Sequence, residues 1–189
     1  MKLMDDLKAY EPFNEQEAVD KELILKKLQE EPDIFSRWNL AAHMPASGWV
    51  VNPQRTKVLM AYHNLYHSWS WLGGHADGQE ELLAVALKEV REESGVIHAR
   101  PVSENIFSIE IMPVFGHEKK GQYVPTHLHL NVTYLLEVPE EDILRVKEDE
   151  NSGVAWFELD EAIKASTEPW MAARIYSKLN QKVKSLIVR

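Results

Sequence analysis

One stretch constrains this chain more than any other: residues 73–96 read GGHADGQEELLAVALKEVREESGV. Two glycines and an Asp77–Gly78 turn lead into a helical apolar pattern that ends in a cluster of carboxylates. With residues 80–94 placed as a helix at 100° per residue, Glu89, Glu92 and Glu93 share an arc of about 100°. Like charges so spaced repel, at a few tenths of a kcal/mol each. Spacing alone leaves two readings. The acids are a solvated helix end paired along the surface with Lys88 and Arg91, or they are oxygen ligands for a hard divalent ion, Mg²⁺ or Mn²⁺, in a chain with no cysteine. Leu83, Ala86, Leu87 and Val90 form an apolar stripe that would bury the helix against a sheet and hold the acids on a separate face. Gly95 is a natural left-handed stop.

The spacing carries a resemblance. Gly74, five residues, Glu80, seven residues, then Lys88, Glu89, Val90, one residue, Glu92, Glu93, one residue, Gly95 and Val96 resembles the signature of the Nudix hydrolases, matching every fixed position but one. Lys88 stands where the pattern has Arg, and Leu72 where it usually has Pro. Neither departure removes an acid. Lysine lacks the planar fork that holds a carboxylate through two bonds, so the positioning of a neighbouring glutamate is the function affected.

The resemblance implies an α+β Nudix fold, a mixed β-sheet sandwiched between helices, here with an extra N-terminal helix and a C-terminal helix. It implies a metal-dependent hydrolase that cleaves the diphosphate linkage of a nucleoside diphosphate derivative, such as a dinucleotide, ADP-ribose or a nucleotide sugar, using Mg²⁺ or Mn²⁺. Glu89, Glu92 and Glu93 are then the ligands and catalytic acids, with the backbone carbonyl of Gly74 near the metal. Glu80 and Lys88 take orienting or outer-shell roles. An acid from a later loop often joins the set as ligand or base in this family; Glu150, then Glu148, are the candidates, and the general base falls to Glu89 or Glu150. Two other classes stay open: a nucleotide-sensing or regulatory module that has lost turnover, and an isoprenyl-diphosphate isomerase, whose characteristic cysteine is missing here. A homodimer is a further expectation from the family.

The 189-residue chain fits one domain, with residues 1–40 as a helical extension packed on a Nudix domain of 41–189. A net charge of −9 argues against a broad nucleic-acid surface. The segment MKLMDDLKAY lacks the apolar run of a secretory signal, and no stretch reaches membrane-span length, so a cytoplasmic protein is expected. Residues 14–30 read as a helix capped by Asn14, with Glu17 three residues on and Ala18, Leu23, Leu25 and Leu28 as its apolar positions; a brace is expected there, over a lid or a dimerisation element.

Residues 47–62 read as a hairpin turning at 53–56. Tyr62, Tyr66, Trp69 and Trp71 suggest a base-stacking platform, or else Trp69 and Trp71, on one face of a strand, fill a core, and the core reading is favoured. Residues 105–114 and 127–138 read as long strands around the polar loop 116–125. On the second strand His127, His129, Asn131 and Thr133 share one face. This face is expected to line the substrate cavity, with His63 and His75, or to meet solvent; two zinc ligands completed by His63, His67 or His75 are the less favoured alternative. The tail 169–189 reads as an amphipathic helix with Arg174, Lys178, Lys182, Lys184 and Arg189 on a wet basic side.

Overall fold

The computed structural model describes residues 2–119 and 121–187. A nine-stranded mixed sheet lies between two helical layers, as expected. Its centre is the hairpin of β2 (Pro45–Val51) and β3 (Lys57–His63), with a longer strand, His127–Glu137, beside β2. Asn52 closes the hairpin by accepting the Thr56 and Lys57 N–H groups on its side-chain oxygen, the turn chemistry that Asn supplies.

The remaining elements follow in chain order: α1 (Lys2–Ala9), α2 (Glu15–Glu30) and β1 (Ala42–His43) precede the hairpin. After it come β4 (Ser68–Ser70), β5 (Leu72–His75), α3 (Leu82–Ser94), β6 (Arg100–Pro101) and β7 (Ser108–Val114). A small separate hairpin, β8 (His117–Lys119) and β9 (Gln122–Val124), forms where a polar loop was expected, with Lys120 outside the described residues. The long strand is β10, followed by β11 (Asn151–Glu158), α4 (Leu159–Ala165), a π-helix over Met171–Tyr176 and α5 (Ser177–Ile187). β10 runs parallel to β1 and β2 and antiparallel to β6 and β7, which makes the sheet mixed.

Side chains alternate across the strands, so each face builds its own core. Leu59, Ala61, Leu130 and Val132 pack under α3 with Leu3, Leu7, Ile24 and Leu28 of the first two helices. Trp49, Val58, Met60 and Leu135 pack under Ile175, Tyr176, Leu179 and Val183. Trp69 and Trp71 join that second core, edge-on to Phe157 and Tyr176, as the core reading expected.

The N-terminal extension is tied into the domain. Asn14 caps α2 by accepting the Glu17 N–H at 3.0 Å. Asp20 accepts the Ile111 N–H at 3.1 Å, so α2 satisfies a donor of β7 that no strand takes. The buried stripe of α2 is Ile24 and Leu28 with Leu25 packed beside it, whereas Ala18 and Leu23, expected on the apolar face, are exposed.

Two expectations need correction. Asn131 and Thr133 neither line a cavity nor meet solvent; both are fully buried, bonding the Glu110 carboxylate at 3.0 and 2.8 Å. Nor is the basic side of the tail wet throughout. Lys178 bridges Glu17 and Glu110 at 3.0 Å each, and Lys182 reaches Glu17 and the Tyr10 hydroxyl. Buried acids supply the countercharge that lets both lysines enter the interior. Burial opposes charge on Glu17, but Lys178 and Lys182 outweigh it and hold the carboxyl at about 2. Arg189 lies outside the described residues.

Candidate active site

α3 runs out of the β5 turn, and its buried stripe is Leu82, Val85, Ala86, Glu89, Val90 and Glu93. The acids do not occupy a face of their own, as the apolar pattern suggested; Glu89 and Glu93 continue the buried stripe, and Leu83 and Leu87 lie at its margin. The glycines of β5 make this possible. A Cβ on Gly74 would stand 2.5 Å from the Glu89 carboxyl carbon, and the Gly73 N–H donates to Glu93 at 3.0 Å. Gly95, at φ 75°, closes the helix.

The electrostatics follow from this crowding. Burial pushes the Glu93 carboxyl up to about 8; the Gly73 N–H opposes that rise, Glu89 and Glu150 add to it, and Lys147 opposes it. Glu150 is thus brought into the field of the buried acids, on a turn where it pairs with Lys147 at 2.7 Å, while Glu148 is exposed. Glu92 is exposed beside the buried pair. Lys88 reaches Glu89 at 3.0 Å and Glu92 at 3.6 Å, one ammonium shared between two carboxylates. Glu80 is exposed in the segment leading into α3.

This donor set fits a hard divalent cation. The two buried carboxylates, with exposed Glu92 beside them on α3, offer oxygen ligands, and a buried acid beside two like charges is stabilised in its ionised form by a cation.

A second cluster lies on the other side of β5. Gly74 faces Glu89, so alternation points His75 to the opposite face. There His43, His75 and His129 bring ligating nitrogens within 4.8 Å of one another. His127 stacks on His43 with ring centroids 4.6 Å apart, and its Nε2 lies 3.2 Å from Nε2 of His129. Burial lowers the pKa of His43 and takes that of His129 well below the ordinary histidine value, and the neighbouring imidazoles lower both further. The His43 Nε2 is buried with no hydrogen-bond partner among the described residues, a cost of roughly 1–3 kcal/mol for a polar atom left so. Nearby, Arg37 forks onto Asp77 through two N–H groups, and its charge is felt by Glu89, Glu150 and His129.

Of the sequence-predicted histidines, His75, His127 and His129 come together. His63 does not join them: it ends β3 beside Tyr66, accepting the Leu65 N–H. His43, Arg37 and Lys147 had no signal in the sequence pattern. His43 is an isolated histidine whose place opposite His129 comes from the parallel β1–β10 register.

The family described as NUDIX domain matches residues 42–179. No curated protein sequence matches significantly. Among solved structures, a C. elegans Ap4A hydrolase binary complex is similar at 18% identity and a TM-score of 0.52, covering 77% of this chain and 97% of the other. An E. coli dihydroneopterin triphosphate pyrophosphohydrolase is similar at 14% identity and 0.52, covering 77% and 94%. A Clostridium perfringens hydrolase of the NUDIX family is similar at 17% and 0.51, covering 76% and 97%. At these identities the structures share a fold with this chain. No helix among the described residues is long and apolar enough to cross a membrane.

Proposed function

The chain belongs to the Nudix hydrolase family, and from that premise we propose that it is a pyrophosphohydrolase cleaving the diphosphate link of a nucleoside diphosphate derivative with Mg²⁺, or Mn²⁺ in its place. The observation that carries this reading is the burial of Glu89 and Glu93 side by side behind the glycines of β5, in the field of Glu150. A purely structural helix gains nothing from two buried carboxylates with so little countercharge.

Glu89, Glu92 and Glu93 would hold the ion, with the Gly74 backbone beside them. When bound, the ion supplies neutralisation of the diphosphate oxygens and lowers the pKa of nearby water. The protein groups do the rest. The Gly73 N–H fixes one Glu93 oxygen, and Lys88 restrains Glu89 and Glu92 together. Glu150, on its turn beside Lys147, is our choice of general base. It takes a proton from water as the water oxygen bonds to phosphorus, and the P–O bond to the leaving phosphate breaks. Lys147 and Arg37 put positive charge close to where the diphosphate charge would lie.

The structural neighbours named for Ap4A and for dihydroneopterin triphosphate differ widely in substrate, so the nucleoside side of the substrate is open. A panel of dinucleoside polyphosphates, ADP-ribose, nucleotide sugars and nucleoside triphosphates, incubated with Mg²⁺ and resolved for mononucleotide, phosphate and pyrophosphate, tests the proposal. At least one compound should be cleaved within its diphosphate in a metal-dependent way. Tight binding across the panel without any cleavage would favour a nucleotide sensor and sink the hydrolase reading.

A further inference from the structure

The histidine cluster lies across β5 from the carboxylates of α3. We propose that His43, His75 and His129 form a separate site for a divalent first-row transition ion, Zn²⁺ foremost. Three strands of one sheet present these rings. His43 and His129 sit opposite each other in the parallel β1–β10 register, and His75 ends β5, whose partner β2 also pairs with β10. The ligating atoms are therefore fixed by backbone pairing more than by loop conformation.

The hydrogen bond behind His43 orients its ring as a ligand is oriented. Nδ1 of His43 faces the Asn39 carbonyl at 3.0 Å, and Nδ1 of the adjacent His127 faces the Pro125 carbonyl at 2.8 Å. A carbonyl only accepts, so Nδ1 of His43 carries the hydrogen and its Nε2 keeps the lone pair. A backbone carbonyl holding the far nitrogen is the usual support of a metal-bound imidazole. The His43 Nε2 thus has a lone pair, is buried, and finds no partner among the described residues.

The dimensions agree. Zn–N bonds of about 2.0–2.1 Å put tetrahedral ligand nitrogens roughly 3.3 Å apart. Since the three atoms lie within 4.8 Å of one another, closure needs movements of roughly 1.5 Å or less, within side-chain reach. Three histidines leave a fourth coordination place for water or an anionic oxygen. The two clusters then sort ions by donor: imidazole nitrogens suit Zn²⁺, and the carboxylates of α3 suit Mg²⁺.

The full chain, stripped with a chelator, is titrated with ZnCl₂ against a chromogenic zinc indicator in excess Mg²⁺, and separately with CoCl₂ in an optical cell. We expect one equivalent of Zn²⁺ per chain to resist Mg²⁺, and Co²⁺ to give the intense visible bands of a four-coordinate ion. His75→Asn, at a half-buried strand end, should weaken Zn²⁺ by at least about 10–100-fold, the range already lost when only a ligand's supporting partner is removed. The Glu89→Gln/Glu93→Gln pair should leave Zn²⁺ binding intact even where it abolishes hydrolysis, which separates this proposal from the diphosphate reading. Equal Zn²⁺ affinity in wild type and His75→Asn, or loss of binding in the glutamine pair, overturns the site. Should His75→Asn fail the circular-dichroism check for folding, the wild-type Co²⁺ spectrum decides, a weak six-coordinate spectrum being the contrary result.

Discussion

At the residue scale, two adjacent glycines have different duties. A Cβ on Gly73 would meet the backbone of β2, 2.6 Å from the Ala46 carbonyl oxygen, so Gly73→Ala should break the β2–β5 pairing and lower the melting temperature sharply. The three atoms nearest a Cβ on Gly74 all belong to the Glu89 side chain, which can turn aside. Gly74→Ala should therefore fold, with a stability loss of about 1–3 kcal/mol in denaturant titration, yet lose far more in turnover because Glu89 is displaced. Equal losses in both properties would contradict the account. Glu93 gives a pH signature. Its carboxyl stands at about 8 in the folded metal-free chain against 4.5 for the free group, so the folded state binds the extra proton. This contribution to stability is fully present below about 4.5 and is lost as pH rises toward 8. Thermal melting should show that decline without Mg²⁺, a flatter curve for Glu93→Gln, and a Mg²⁺-induced rise in melting temperature that grows with pH.

At the element scale, α2 and α5 are joined directly by buried charge. Glu17 accepts from the Phe13 N–H at 2.7 Å and from the Tyr10 hydroxyl at 2.6 Å, while Lys178 and Lys182 pair with it from the C-terminal end. Glu17→Ala leaves two buried ammonium groups short of countercharge and should cost about 3–5 kcal/mol, read as a shift in urea midpoint; the surface substitution Glu15→Ala should cost little. The caps and hairpin were legible in the sequence because their signals are local: Asn14 with Glu17, the turn at 53–56, Gly95 after α3. The network was not. Glu17 looks like an ordinary capping-box acid, and Lys178 and Lys182 look like the polar side of an amphipathic helix, until tertiary contacts across 165 and 161 positions bring them together.

For the whole molecule, the spacing from Gly74 to Val96 was enough to foresee the family and the mixed sheet between helices. It could not foresee that Glu89 and Glu93 share the buried stripe of α3 while Glu92 does not, since that depends on room left by β5. His43 was invisible for a related reason: register between β1 and β10 is a property of the folded sheet. The resulting molecule has two donor sets on opposite faces of β5, one of oxygen and one of nitrogen. Whether the buried oxygen set runs diphosphate hydrolysis is read from the steady-state rate of wild type and Glu93→Gln on the best panel substrate as Mg²⁺ is titrated. Turnover in wild type should be metal-dependent and fall roughly 10²–10⁴-fold in the variant, the several kcal/mol that correct ion placement supplies. A Glu93→Gln enzyme that keeps wild-type turnover at every Mg²⁺ concentration would contradict it.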